Sequence, residues 1–276
     1  MKELASLLFK LDKIIVNVYK ENLNNQEAFS KTDFSNAAGH KSRVIDLIME
    51  DTIINFFKNN KFPCIIETEE RGKISLSNNP KYVVITDPLD GTTNFSRRIP
   101  LTSYGIAIAK LENELTQAKF SDIVVAAVRS FHTDEFYFAS KHEGATCNNE
   151  KINPSEVNLL NRSLISFDLD GSYKQKEDLI EKIMLILRKC RGTRRFGANL
   201  IDMVYVGAGK IEVMIDIRDT LSAVHTPSLF ISKESGAVLR TIKNEEFNIE
   251  LEANQKMSFI LCNNEQISRQ IFETIR

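Results

Sequence analysis

Residues 83–95, VVITDPLDGTTNF, decide how this chain is read. Val83, Val84 and Ile85 form a short apolar run suited to a buried strand, and it passes through Thr86 into two aspartates, Asp87 and Asp90. A strand ending at Asp87 places that carboxylate at the carboxyl edge of a sheet. Pro88 then fixes a turn that brings Asp90 back toward the same point. Two carboxylates facing one point repel each other unless a hard cation lies between them. Gly91 lets a ligand oxygen approach the backbone, amides at the start of a following helix favour an anion, and the hydroxyls of Thr92 and Thr93 can orient a water. Upstream, IETEERG (66–72) offers Glu69 and Glu70 at the end of another strand as a source of a third carboxylate. Together these residues suggest a site for a cation and a phosphate. Asp-Pro and Asp-Gly are also ordinary turn formers, so on spacing alone a plain turn stays open.

Composition bounds what such a site could serve. A chain of 276 residues can bury a substantial core, as one large domain or two closely packed halves. Hydrophobic content is 42% and no apolar run approaches the roughly 18 residues of a membrane span, so no membrane segment is expected. The N-terminal stretch lacks an uninterrupted apolar region and a small-residue cleavage site, which argues against a signal peptide. There Leu4, Leu7, Leu8, Leu11, Ile14, Ile15 and Val18 recur at helical spacing. With 36 basic and 37 acidic residues interleaved, the net charge of -1 leaves no electrostatic footprint for nucleic acid or an anionic membrane. A small partner is expected. Cys64, Cys147, Cys190 and Cys262 are widely spaced without a CxxC pair, which suits reduced thiols in a cytoplasm better than disulfides or a zinc site.

The element order is mixed α/β, without repeats. Helical spacing covers 44–60, strands are expected at 64–68 and 82–86, and 103–152 reads as an antiparallel meander with Gly and Asn turns. A helix-rich half begins near residue 156, with helices over 176–190, 198–209 and 226–236, a strand over 211–218 and a final strand over 258–263. This order predicts layered sheets and helices. Residues 1–155 form an α+β half that carries the acidic motifs, and residues 156–276 form an α/β half that completes one catalytic unit.

DPLDGTTNF closely resembles the D-P-[IL]-D-G-T-[TS]-N-[FY] signature of the inositol monophosphatase family, the lithium-sensitive type of magnesium-dependent phosphatases. Nine residues of this kind are a specific signal, and the resemblance runs along nearly the whole chain. ETEERG is similar to the family's E-E-x-G metal motif, HTDEFYFASKHEGATCNNEKI to its hairpin, and RRFGANLIDMVYVGAGKIEVMIDIR to its substrate-side segment. The RRFGA and DIR forms look most like the archaeal branch, whose members often act on both inositol 1-phosphate and fructose 1,6-bisphosphate. The fold so implied is the sugar-phosphatase sandwich of alternating α-β-α-β-α layers, and the assembly a homodimer. The resemblance implies that Glu69, Asp87, Asp90 and the Leu89 carbonyl hold magnesium, and that Glu69 and Thr92 position the attacking water. It gives phosphate to the amides of Gly91 and Thr92, with Asp90 beside them, and the rest of the substrate to Arg194, Asn199 and Arg218. The arginines could equally be solvated surface charges.

Two segments depart from the family pattern. Its second signature, [WV]-D-x-A-[AG]-x-x-x-[IL]-x-x-E-A-G-G, supplies an Asp to the second metal, and VHTPSLFISKESGA aligns without a gap and puts His225 on that Asp. Thr226 suits a helix N-cap, Pro227 a first helical position and Gly236 a helix end, so the scaffold looks preserved while the ligand changes. Where relatives carry T-x-[TS]-x before the second helix, this chain reads HKSRVID (40–46), so the hydroxyl and acid that polarise the catalytic threonine look altered. Asp46 and Ser42 are the residues there that could serve instead.

His225 has three readings. As a metal ligand, neutral imidazole suits manganese, zinc or cobalt better than magnesium. As an ordinary polar residue at a helix start, it leaves an enzyme of reduced activity. As an imidazolium, it repels the cation and binds phosphate directly. VGAGK (206–210) lacks P-loop spacing, His132 and His142 read as strand and turn residues, and His40 lies in a polar loop that could approach the site. The expected function is hydrolysis of a small sugar or polyol phosphate by metal-activated water. The alternatives are a catalytically weakened or inactive relative that binds a phosphorylated metabolite and, within the enzyme class, a phosphatase for adenosine 3',5'-bisphosphate.

Overall fold

The computed structural model of the chain describes residues 1–35, 41–112, 117–169 and 177–275. The reading of His40 therefore lies outside the described residues. Along the chain run α1 (Lys2–Asn22), the hairpin β1 (Lys31–Ser35) and β2 (Lys41–Arg43), α2 (Val44–Asn59), β3 (Cys64–Thr68), β4 (Gly72–Ser75), β5 (Tyr82–Asp90) and the short α3 (Thr92–Arg97). A meander follows: β6 (Ser103–Lys110), β7 (Ile123–Ser130), β8 (Glu135–Ser140), β9 (Gly144–Cys147) and β10 (Glu150–Lys151). The remainder holds β11 (Leu164–Phe167), α4 (Glu177–Leu187), β12 (Gly192–Arg194), α5 (Asn199–Gly207), β13 (Val213–Ser222), α6 (Thr226–Ser235), β14 (Val238–Arg240), β15 (Lys256–Cys262) and α7 (Glu265–Ile275).

Strand periodicity explains the layering. On β5 and β6, Val84, Ile106 and Ile108 face a core made with α1 and α2, where Leu8, Leu11, Ile15, Met49 and Ile53 are buried. Their neighbours Val83, Ile85, Ala107 and Ala109 face a second core, shared with Leu200, Met203 and Val204 of α5 and Leu229 and Phe230 of α6. Met214, Phe259 and Leu261 close that core from the second sheet, and Val213, Ile215 and Ile260 turn outward to a third core with α4 and α7. The layers are thus α, β, α, β, α, as the family resemblance implies. The larger sheet has the order β10-β9-β8-β7-β6-β5-β3-β4 and the smaller β12-β11-β13-β15-β14.

Three local differences from the sequence reading have simple causes. β5 runs four residues further than its apolar stretch because Asp87 and Asp90 still pair with β6, opposite Gly105 and Ser103. Helix α7 was not expected, although Ile267, Ile271 and Phe272 make one apolar stripe on an otherwise polar helix. Strands β11, β12 and β14 are only three or four residues long, too short to show a period. Among the described residues no helix is long and apolar enough to cross a membrane, and all four cysteines are free thiols.

The N-terminal helix is tied to the larger sheet by a buried charge. Asp12 accepts Nε of Arg129 at 2.9 Å and the Tyr104 hydroxyl at 3.1 Å, and Nη2 of Arg129 closes the ion pair. Removing Asp12 leaves a mostly buried guanidinium with Asp134 as its remaining carboxylate among the described residues. The Asp12→Ala variant should lose about 3 kcal/mol in urea unfolding. A loss under about 0.5 kcal/mol, the range of neutral surface substitutions, would show that the pair does not anchor α1.

Candidate metal centre

A regular strand puts positions three apart on opposite faces. Between Asp87 and Asp90 the pairing of β5 with β6 slips by one residue, and this irregularity returns both carboxylates to one side. Asp87 bends back on its own turn, with Oδ1 accepting the Leu89 amide at 3.0 Å. Asp90 is held from three directions, by the Ser103 hydroxyl at 3.0 Å and by the first amides of α5, Asn199 at 3.1 Å and Leu200 at 2.7 Å. A carboxylate at a helix N-terminus satisfies donors that the helix cannot.

His225 approaches the same point from the start of α6. It is the cap residue, with Thr226 and Pro227 in the first turn, one position earlier than the sequence suggested, and Gly236 ends the helix at φ 109° as expected. The Thr226 hydroxyl donates to the Ala223 carbonyl at 2.7 Å. Nδ1 of His225 lies 3.2 Å from the Ser222 carbonyl, so it carries the proton there, and Nε2 faces the acids, 3.1 Å from Oδ2 of Asp87 and 3.9 Å from Oδ1 of Asp90. Asp87, Asp90 and His225 are all buried and offer donor atoms within 4.8 Å of one another.

Their electrostatics fit a cation. Burial, then the charge of Asp90, pushes the Asp87 carboxyl well above its ordinary range, and burial, then the charge of Asp87, does the same to Glu69. Asp90 is raised by burial too, with the hydrogen bonds from the Leu200 and Asn199 amides and the Ser103 hydroxyl opposing. Oδ2 of Asp87 is fully buried, and the His225 ring at 3.1 Å is not aligned to donate to it; the Glu69 carboxyl lies within hydrogen-bond reach of the Asp87 carboxyl. An orphaned carboxylate oxygen beside two further donors is what a bound cation would satisfy.

Thr92 opens α3 directly after Gly91, whose φ of 85° suits glycine and where a Cβ would meet the Leu101 carbonyl oxygen at 2.8 Å. The Thr92 hydroxyl has two acceptors, Oδ1 of Asp46 at 3.2 Å and the Leu89 carbonyl at 3.1 Å. Asp46 therefore fills the place that HKSRVID left in doubt. It is fixed in the first turn of α2 by the Arg43 amide at 2.7 Å, and burial lifts its pKa to about 6. Ser42 does not reach Thr92 but donates to the buried carboxyl of Glu70, which burial lifts to about 8.

The substrate-side candidates are spread more widely. Asn199 stands against Asp90 through its amide. Arg194 is exposed and bonds the carbonyl of Thr193 at 2.8 Å. Arg218 is buried, forked onto Asp216 at 3.0 and 2.6 Å and 3.0 Å from Asp168, which also receives Arg195 at 3.0 Å. Sequence reasoning passed over Asn94, whose amide reaches the carbonyls of Leu101 and Phe196, both at 2.8 Å, and so ties α3 to the RRFGA loop. It also passed over Ser103, for which no sequence signal exists. His132 lies in a turn and meets the Tyr19 hydroxyl at 3.1 Å, and His142 occupies a turn at φ 64°.

Comparison with known proteins finds similarity along the whole chain. The Inositol monophosphatase family matches residues 1–276. A fructose-1,6-bisphosphatase/inositol-1-monophosphatase of Methanothermobacter thermautotrophicus is 26% identical over 243 residues, 87% of this chain and 85% of its own. A bifunctional NADP phosphatase/NAD kinase of Methanococcus maripaludis is 28% identical over 85% of this chain, which spans only 43% of that protein. The solved structure of a Pyrococcus horikoshii protein with similarities to inositol-1 monophosphatase superposes with a TM-score of 0.81 at 24% identity, covering 100% of this chain and 99% of its own.

Next to the site, Asp202 of α5 is buried against the Ser166 hydroxyl, and burial lifts its pKa to about 7. The unfolded chain loses this proton near the ordinary 3.8. Between those values the folded state holds the extra proton, so its stabilising effect is complete below the lower value and gone above about pH 7. Asn cannot ionise and can still accept from Ser166. In chelator, Asp202→Asn should therefore gain on the parent by on the order of 3 kcal/mol between pH 4 and pH 8 in denaturant unfolding. Parallel pH profiles of the two proteins would contradict this.

Proposed function

The chain belongs to the inositol monophosphatase family, and we propose that it is a metal-dependent phosphomonoesterase acting on a small sugar or polyol phosphate, inositol 1-phosphate or fructose 1,6-bisphosphate. The observation that carries this reading is the convergence of Asp87, Asp90 and His225 on one buried point beside a Thr92–Asp46 pair. Asp87, Asp90, Glu69, the Leu89 carbonyl and His225 are the groups that would hold the cation. When bound, a divalent cation lowers the pKa of a water and offsets the charge of the phosphate and the leaving alkoxide.

The remaining roles belong to the chain itself. Thr92 donates its single hydroxyl hydrogen to Asp46 or Leu89, which leaves its oxygen lone pairs to accept a hydrogen from the attacking water. Asp46 in its ionised form holds that orientation, and Glu69 takes the other side of the water. The amides of Gly91 and Thr92 meet the phosphate at the opening of α3. Attack in line then needs no covalent phosphoenzyme. Asn199 beside Asp90 contacts the sugar, and Arg194 extends that contact. Arg218 would reach substrate by leaving a carboxylate it now pairs with, Asp216 or Asp168. The assembly expected from the family is a homodimer in the cytoplasm.

The test is phosphate release from inositol 1-phosphate, fructose 1,6-bisphosphate and NADP by the purified protein with magnesium, manganese or zinc. Turnover of at least one ester is expected, and Asp90→Asn and Thr92→Val should each lower kcat by about 100-fold or more. If no ester releases phosphate with any of the three cations, the phosphatase reading is wrong.

A further inference from the structure

His225 is what separates this site from an all-oxygen magnesium centre, and its surroundings choose among the three roles the sequence leaves open. Its Nδ1 sits 3.2 Å from the Ser222 carbonyl, which can only accept, so the hydrogen of the neutral ring belongs on Nδ1. The carbonyl is fixed in turn, because the Ser222 hydroxyl accepts the Val224 amide at 3.3 Å and donates to the Ala253 carbonyl at 2.6 Å. Nε2 then presents a lone pair toward Asp87 and Asp90.

An imidazolium would instead aim an Nε2 hydrogen at the nearest carboxylate. That carboxylate oxygen, Oδ2 of Asp87, is buried at 3.1 Å from Nε2 and yet has no aligned donor. A ring lone pair and an ionised carboxylate oxygen at this distance repel, and a cation held between them removes that repulsion. The separations permit one: 3.1 Å and 3.9 Å from Nε2 to the two acids are within the roughly 4.2 Å that two bonds of about 2.1 Å can span.

We infer that His225 is a nitrogen ligand, oriented by the Ser222 carbonyl, and that the centre it shares with Asp87 and Asp90 takes a borderline divalent cation of the manganese, cobalt or zinc class in preference to magnesium. The inference rests on the metal-dependent reading of the site and adds the identity of the metal to it. Its physical basis is ligand hardness. Magnesium takes oxygen donors in a strict octahedron and gives up its waters reluctantly, whereas imidazole nitrogen favours the later divalent ions. A backbone carbonyl on the far ring nitrogen fixes the tautomer and raises the basicity of the ligating one.

The test measures binding directly. Titration calorimetry with manganese, zinc and magnesium on the unmodified protein should rank magnesium weakest by about tenfold or more. Electron paramagnetic resonance of the manganese-loaded protein should show hyperfine coupling to one histidine nitrogen. In His225→Asp the coupling should vanish and the preference over magnesium should shrink by about tenfold. Manganese bound without nitrogen coupling, equal affinities for the three ions, or the same preference in His225→Asp would each overturn the inference. The resonance arm needs no variant, so a misfolded His225→Asp protein leaves it decisive. Nitrogen coupling in a protein that releases no phosphate would remove the phosphatase reading alone. Turnover with magnesium and no nitrogen coupling would remove only this inference.

Discussion

Two buried carboxylates held to the same side of one strand end are the constraint around which this structure is arranged. Asp87 and Asp90 would repel each other and would not leave water unaided. The fold meets that cost with parts drawn from four elements. An irregularity in β5 turns both acids one way, Ser103 of β6 and the first amides of α5 hold Asp90, and the start of α6 brings up His225. The layered architecture serves this convergence, since α5 and α6 form the layer between the sheets and present both N-terminal ends at the edge where β5 finishes.

His225 stands on a regular helix start. Helix α6 has Pro227 in its first turn, a left-handed Gly236 at its end, and Leu229, Phe230 and Ile231 buried. What distinguishes His225 from the acid of the family signature it resembles is the charge and hardness of one donor. Loss of a carboxylate lowers the attraction for a second hard cation, while a nitrogen lone pair raises it for a borderline one. The Thr92–Asp46 pair forms although the segment before α2 departs from the family signature it resembles. Position in the first turn of α2 matters for Asp46, and that place is secured by the Arg43 amide.

Much of this was legible in the chain. The acids of residues 83–95, the turn glycine and a helix start behind them follow from local chemistry, and the continuous apolar run of 83–85 marks β5 as a strand buried on both faces. Other features depend on contacts far apart in sequence. Ser103 is one serine among many until β6 pairs with β5, and Asn94 shows its role only when the RRFGA loop packs against α3. The pairing of Arg218, which the resemblance puts on the substrate side, with Asp216 two residues before it on the same strand likewise shows only in the fold. The choice of Asp46 over Ser42 as the partner of Thr92 turned on which face of the α2 start meets α3, and spacing in one segment does not contain that information.

The most direct measurement is an anomalous difference map from a crystal of the protein grown with manganese, recorded at the manganese edge. The expected result is a strong peak about 2.0–2.3 Å from His225 Nε2 and from a carboxylate oxygen of both Asp87 and Asp90. A map with no peak there, and with His225 Nε2 hydrogen-bonded straight to Asp87, would contradict a metal centre built on these three residues.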